Sequence, residues 1–402
     1  MQPSHRRLLA LAPLLLACGL ARAADDWPEW RGPQRDGISR ESGWAPNGAR
    51  ENLWERAVGL GYSAVSVADG RLFTLGHDVE AGLDALWCLQ PETGAVLWRH
   101  QWPAERWNRM HVGGTNSTPT VDGERVYVLN REGRLMCLSV EDGDVVWERQ
   151  LAEELELELP SWGFAGSPLV VDDVLYVNVG PLLALSKEDG EERWRSTDFG
   201  HAYSTPVHFE ADGDELLAVF NGGGLAVVEA ADGALRGQQP FETRYDVNAA
   251  TPIAVDGKLF ISAGYNHGCA LVAITADGLE LEWENRVMKN QLATSVLLDG
   301  VLYGFDESLL KAVDLEGNEL WRQRGLGKGA LCAADGRLVL VSSRGELVVA
   351  NADPAAYEEL SRVDLLDEGA CWTPPTLANG LIYVRNASGQ LICRDHRAGG
   401  QR

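Results

Sequence analysis

A unit of about 40 to 45 residues, holding four short apolar runs cut by glycine turns, recurs along this chain, and few folds accommodate it. It is clearest from Asn116-Ser117-Thr118-Pro119 through Asp122-Gly123, Val126-Tyr127-Val128 and Leu135-Met136-Cys137-Leu138 to Asp142-Gly143 and Trp147. The same order returns at Gly166-Ser167-Pro168, Leu175-Tyr176-Val177, Leu183-Ala184-Leu185, Asp189-Gly190 and Trp194. It returns again at Thr251-Pro252, Asp256-Gly257, Leu259-Phe260-Ile261, Val272-Ala273-Ile274, Asp277-Gly278 and Trp283. Asp-Gly supplies the positive φ of tight hairpin turns, and four short strands per unit make one propeller blade.

The number of units sets the ring. Outer-strand tryptophans stand at Trp54, Trp98, Trp147, Trp194, Trp283 and Trp321; Gly237 takes that place in the unit 203–239, and the unit near 328–363 has only Tyr357 nearby. The last unit, 371–396, has three strands, and Asn52 to Arg56 is a strand without a unit. Joining them closes the circle and removes open sheet edges. The expectation is all-β: an eight-bladed β-propeller of four-stranded antiparallel blades, its ring closed by the N- and C-terminal segments. A single domain is expected over 24–402, with an N-terminal segment 24–51, a closing strand at about 52–58 and blades to about 396. The repeat also absorbs Cys88, Cys137 and Cys393, which fall in the third-strand slot filled elsewhere by Ala184, Val227 and Ala312. They read as small core residues with free thiols.

Residues 1–23 read as an export signal: His5, Arg6 and Arg7, then the apolar run Leu8 to Leu16, then Ala21-Arg22-Ala23. Nine apolar residues are too few to span a bilayer, so no transmembrane segment is expected. Leu15-Leu16-Ala17-Cys18 also fits a lipobox, leaving a lipid anchor at Cys18 as the alternative to cleavage after Ala23. Both place the protein in the periplasm or outside the cell. The formal charge is −24, and cleavage after Ala23 removes three arginines and no acid. So acidic a surface repels nucleic acid. No Cys-x-x-Cys pair is present, and His267-Gly268-Cys269 is an isolated pair of ligand types, so no metal site is expected. Gly163 to Ser167 lacks the Gly-x-Ser-x-Gly of a nucleophile elbow, and Gly222-Gly223-Gly224 opens no helix. Leu151 to Leu159 alternates leucine and glutamate and reads as an interblade strand.

The run C-L-Q-P-E-T-G-A-V-L-W from Cys88 to Trp98 resembles the repeat of the pyrroloquinoline-quinone-like propellers. With W-P-E-W-R-G-P at 27–33, W-G-F-A-G-S-P at 162–168, S-A-G-Y-N-H-G-C-A-L at 262–271 and C-W-T-P-P at 371–375, it extends the likeness over nearly all of the exported chain. The family resembles both the propeller lipoprotein of the outer-membrane β-barrel assembly machine and, more distantly, quinoprotein alcohol dehydrogenases. The first likeness implies a binding or scaffold protein of the cell envelope. The second implies an oxidoreductase acting on alcohols or sugars with pyrroloquinoline quinone and calcium. The vicinal cysteine pair of the dehydrogenases has no counterpart here, nor do their calcium ligands and catalytic Asp, so the binding reading leads and no cofactor is expected.

Blade geometry predicts where binding falls. The Asp-Gly turns share one face and are nearly identical from blade to blade; the interblade links share the other and differ in each. On that second face His111, Trp162, Tyr203, Asn248, Asn290, Lys328 and Trp372 are predicted to converge on the channel mouth. There they would hold a small polar, partly anionic ligand, or a protein partner of what is expected to be a monomer. The loop 264–268 is expected near the rim.

Overall fold

The computed structural model describes residues 25–109, 111–367 and 369–399; the export signal and Cys18 lie outside the described residues. Eight antiparallel sheets form the ring. Blade 1 runs through strands Ser66–Ala68, Arg71–Asp78, Leu83–Leu89 and Val96–Pro103, from the channel outward. Blades 2 to 7 begin with the inner strands Thr120–Asp122, Leu169–Val171, Val207–Ala211, Ile253–Val255, Val296–Leu298 and Ala330–Ala334. Blade 8 joins Thr376–Ala378, Leu381–Arg385 and Gln390–Asp395 to Asn52–Ala57 from the other end of the chain, with Trp54 opposite Cys393. Second and third strands are buried on both faces because blades stack on either side, whereas an outer strand such as Val145–Gln150 is largely solvated. No helix among the described residues is long and apolar enough to cross a membrane.

One cross-strand row explains the repeat. In blade 1 Ser66, Phe73, Cys88 and Trp98 stand side by side; in blade 2 the row is Thr120, Tyr127, Cys137 and Trp147. Each tryptophan packs on its row's aromatic, as Trp98 does on Phe73 with ring centroids 5.8 Å apart. Its indole N–H then reaches the next blade's outer turn. Trp54 donates to the Pro91 carbonyl at 2.8 Å, Trp98 to Val140 at 3.0 Å and Trp283 to Leu315 at 2.9 Å. The turn glycine is required there, since a Cβ on Gly94 would lie 2.6 Å from the Trp54 ring. In blade 4 Gly237 fills the tryptophan place, and the next blade's Gly278 and Leu279 pack directly against it. In blade 7 the place belongs to Ser361, not Tyr357; Ser361 Oγ donates to the Pro46 carbonyl of the N-terminal segment at 2.8 Å. All six described cysteines are buried and free, as the row position of Cys88, Cys137 and Cys393 predicts.

The N-terminal segment does more than lead to the closing strand. It starts at the Asp-Gly turn face, where Asp25 N–H donates to Asn379 Oδ1 and Asp26 Oδ2 accepts from Asp69 N–H. It then enters the channel, bonding Trp27 to Val67 of blade 1 and accepting at the Pro28 carbonyl from Val121 of blade 2. Farther in, Arg35 donates to the Val170 carbonyl of blade 3 at 2.6 Å and Trp30 Nε1 to Thr251 Oγ1 ahead of blade 5 at 2.9 Å. Arg31 donates to the Ser295 carbonyl beside blade 6 at 2.9 Å. Returning, Ile38–Ser39 pairs in parallel with the inner strand of blade 7 as a fifth strand. The segment plugs the channel.

Leu151 to Leu159 is not a strand. Leu151–Glu154 forms one helical turn, and Leu155, Leu157 and Leu159 pack on the core between blades 2 and 3. The glutamates between them face water, so alternation alone did not distinguish this from an edge strand.

Candidate functional site

The link face holds a cavity of about 260 Å³, floored by Trp30 at the tip of the plug. Its wall follows from the repeat in strict register. Counting back four residues from the first-strand member of each tryptophan row gives Tyr62, Asn116, Ala165, Tyr203, Ala249, Leu292, Lys328 and Trp372, one residue per blade. All but Lys328 line the cavity. The ring is uneven. Trp372 and Tyr62, from adjoining blades, stack at 5.3 Å with planes 11° apart, while Tyr203 rises from blade 4, across an eight-membered ring from blade 8. Ala165, Ala249 and Leu292 leave the space between them.

Longer links complete the wall. Trp162 meets Tyr203 edge-on at 6.0 Å and donates its indole N–H to the Arg109 carbonyl at 3.1 Å. Asn116 donates to the Trp162 carbonyl at 2.9 Å, which ties two links together. His111 stands edge-on to Tyr62 at 5.5 Å. Its Nδ1 accepts from Gly113 N–H at 2.9 Å, so the proton of the neutral ring is on Nε2. Burial, helped by the nearby Arg131 guanidinium, lowers the His111 pKa and favours that neutral form. In the loop 264–268, Tyr265 and Asn266 adopt left-handed φ of 54° and 60°, and Tyr265 lines the cavity beside Tyr245 at 5.0 Å. Burial pushes the Tyr62 and Tyr203 phenols up to about 12, so both stay protonated. Tyr203 is 6% exposed and its hydroxyl has no hydrogen-bond partner among the described residues.

Of the residues expected at the mouth, His111, Trp162, Tyr203 and Trp372 line the cavity together. Lys328 sits just beyond, its ammonium 5.8 Å from the Trp372 ring centre and donating to Gln291 Oε1. Asn248 and Asn290 do not line it. Asn248 Nδ2 donates to the Asn221 and Phe241 carbonyls at 2.7 and 3.0 Å, and Asn290 Nδ2 donates to Phe305 at 3.1 Å while its Oδ1 accepts from Ser295. Both lie out of the ring register, one and two residues ahead of Ala249 and Leu292, and hold links to strands instead. Tyr62, Asn116 and Gln291 escaped the sequence reading; strict register finds the first two. Trp30 had no such signal, because its position depends on the plug.

The polar groups here suit binding better than acid–base chemistry. No carboxylate lines the cavity, and no cluster of three or more His, Cys, Asp or Glu among the described residues is disposed to hold a metal ion. Calcium needs several oxygen ligands, with carboxylates prominent among them. The residues present therefore do not fit a quinone–calcium centre.

The family described as outer membrane protein assembly factor BamB matches residues 84–308 and 306–402. Among curated relatives, outer membrane protein assembly factor BamB of Alkalilimnicola ehrlichii is 29% identical over 154 residues, covering 37% of this chain and 38% of the relative. The namesake from Yersinia pestis is 23% identical over 364 residues, covering 84% and 87%. The match thus spans under two fifths of the first relative and most of the second. Among solved structures, the quinohemoprotein alcohol dehydrogenase of Comamonas testosteroni aligns with a TM-score of 0.69 at 12% identity, covering 94% of this chain and 81% of that one. At that identity the likeness is one of fold.

Proposed function

The chain belongs to the family of outer membrane protein assembly factor BamB, and from that premise we propose a non-catalytic cell-envelope scaffold that works through its link face. The cavity on that face is its ligand site, and the surrounding links are its surface for an envelope protein of the outer-membrane assembly type. His111, Trp162, Tyr203, Lys328 and Trp372 are its binding residues; Asn248 and Asn290 support the links behind them. The protein is exported by residues 1–23, acts in the periplasm as a monomer and needs no quinone. The observation that carries this reading is the ring of one residue per blade around a cavity whose lining contains no carboxylate. Such a site offers stacking area and hydrogen bonds but no carboxylate base, and the lone pair of its one lining histidine, His111, is taken by Gly113 N–H.

A photo-crosslinking amino acid at Tyr245 or Trp107 on the link face, and at Asp142 or Asp232 on the turn face, tests the reading in cells. Adducts identified by mass spectrometry as outer-membrane assembly proteins are expected from the link face alone. Adducts from the turn face only, or from neither, would reject it. Steady turnover of an alcohol by protein loaded with pyrroloquinoline quinone and calcium would reject the non-catalytic part.

A further inference from the structure

Blade 8 is the one blade whose third and fourth strands are not joined by a turn, since Asn52–Ala57 comes to Gln390–Asp395 from the other end of the chain. Residues 44–50 stand where that outer turn would be. Ala45 N–H donates to the His396 carbonyl and Ala49 N–H to the Asp395 carbonyl, both at 2.6 Å. Ser361 of blade 7 reaches the Pro46 carbonyl, as Trp98 of blade 1 reaches that of Val140 in the outer turn of blade 2. A covalent turn is replaced by a clasp, and the clasp closes over a histidine.

His396 is 1% exposed and tilted against Trp44, with ring centroids 6.1 Å apart. Its Nδ1–H donates to the Ala45 carbonyl at 2.7 Å, so the lone pair of the neutral ring is on Nε2. That nitrogen is buried without a hydrogen-bond partner among the described residues. The clasp lies directly on it, since a Cβ on Gly48 would fall 2.6 Å from Nε2. A second proton would create a buried cationic N–H with no acceptor, a cost removed only when Gly48 moves away.

The charges around the ring do not supply that acceptor. On its own strand Asp395 pairs with Arg397 at 2.6 Å, and Arg394 donates to Asn52 Oδ1 at 3.0 Å and to the Ala49 carbonyl. Residues 44–49 carry no titratable side chain, and Arg50 and Glu51 beyond them are exposed. From blade 7 Arg337 lies 5.3 Å from the Trp44 ring centre, paired with Asp335, and from blade 1 Glu92 pairs with Arg397 at 3.1 Å. Burial, joined by Arg394 and opposed by the Ala45 hydrogen bond and Asp395, lowers the His396 pKa from 6.5 to about 4. The plug responds to acid in the opposite sense. Glu41 accepts from Gly380 N–H at 2.6 Å and binds its proton near neutrality, so acidification holds it more firmly. Between Glu41 and Trp44, Gly43 sits at φ 73° with open space around it.

We infer that residues 44–50 are an acid-released clasp: protonation of His396 Nε2 lifts them about Gly43 and frees the start of the closing strand, while the plug stays in the channel.

Two native cysteines report the release. Cys393 stands opposite Trp54 of the closing strand, whereas Cys137 holds the same row position in blade 2, where a turn joins the strands. Both are labelled in the exported chain, residues 24–402, with dithiodipyridine, which reacts with thiols even in mild acid, and the sites are read by peptide mass. Each rate is divided by that of the same cysteine in the urea-unfolded protein at the same pH. Between about pH 7.5 and about pH 5 the protection of Cys393 should fall roughly twentyfold, with that of Cys137 unchanged. His396→Gln keeps a donor for the Ala45 carbonyl without a basic nitrogen and should hold Cys393 protection level over the same interval. Protection of Cys393 that is equal at both pH values, that falls in step with Cys137, or that falls equally in His396→Gln would each overturn the inference. The comparison of two cysteines within the wild-type protein keeps the test decisive if His396→Gln misfolds.

Discussion

At the scale of single residues, register decides role. Tyr203 and Asn248 both precede inner strands on the same face, yet one meets the cavity and the other ties a link to two carbonyls. Arg385 shows how much a buried polar residue can carry. It is 1% exposed at the seam between blades 8 and 1, and burial lowers its pKa to about 10. Its Nη1 donates to the Ser63 and Leu75 carbonyls and Thr74 Oγ1, and its Nη2 to the Gly59 and Gly61 carbonyls, all within 3.2 Å. Methionine would fill the space but strand those buried acceptors. Arg385→Met should therefore lower stability by about 3 kcal/mol or more in urea unfolding. A loss under ~1 kcal/mol would mean that water replaces the guanidinium at no great cost.

The element with the most distinctive physics is the plug. Glu29 pairs with Arg35 at 3.0 Å, yet burial raises its pKa from 4.5 to about 7; Glu41, which accepts from Gly380 N–H, is likewise raised by burial to about 7. The folded state therefore holds these protons more tightly than the unfolded chain. Their contribution is complete below about 4.5 and is lost as pH rises through 7. His396 acts in the opposite sense at lower pH: burial lowers it from 6.5 to about 4, so the folded state resists its protonation. The unfolded chain loses its remaining histidine protons between pH 6.5 and 8, so His396 and the likewise lowered His100, His111 and His208 oppose the carboxylates in that window. Relative to the Glu29→Gln, Glu41→Gln double variant, the wild-type protein should lose roughly 1.5 kcal/mol of stability between pH 6.5 and 8 in urea unfolding. An equal slope in both proteins would place these carboxyls in water.

For the whole molecule, closure and polarity are linked. One stretch, residues 25–57, supplies both the plug and the outer strand of blade 8, so the propeller is closed from the channel and from the rim by the same end of the chain. Deleting residues 25–58 should expose the apolar flanks of blades 8 and 1, with aggregation or a sharply lower melting temperature in light-scattering and thermal scans. A truncated protein that melts like the full exported chain would contradict this. The same stretch enters from the face where Asp69, Asp172, Asp212, Asp256, Asp299 and Asp335 turn at positive φ. The acidic turn face thus receives this stretch, opposite the links proposed above for recognition.

The eight blades, the composite last blade, the tryptophan row and the free thiols of Cys88, Cys137 and Cys393 were legible in the sequence. Each depends on a local period: alternation along a strand, a glycine at a turn, a fixed spacing from turn to tryptophan. Four of the seven residues expected to meet at the mouth line one cavity, because a ring of like units carries like positions to one place. The plug, Trp30 as a floor, the helical turn at Leu151–Glu154 and the turning away of Asn248 and Asn290 belonged to the tertiary structure alone. Nothing periodic marks a segment whose partners are the inner strands of blades 1, 2 and 7, hundreds of residues apart, nor an amide whose hydrogen bonds are chosen by a neighbouring blade. Those choices follow from which buried carbonyls need a donor once the ring has closed.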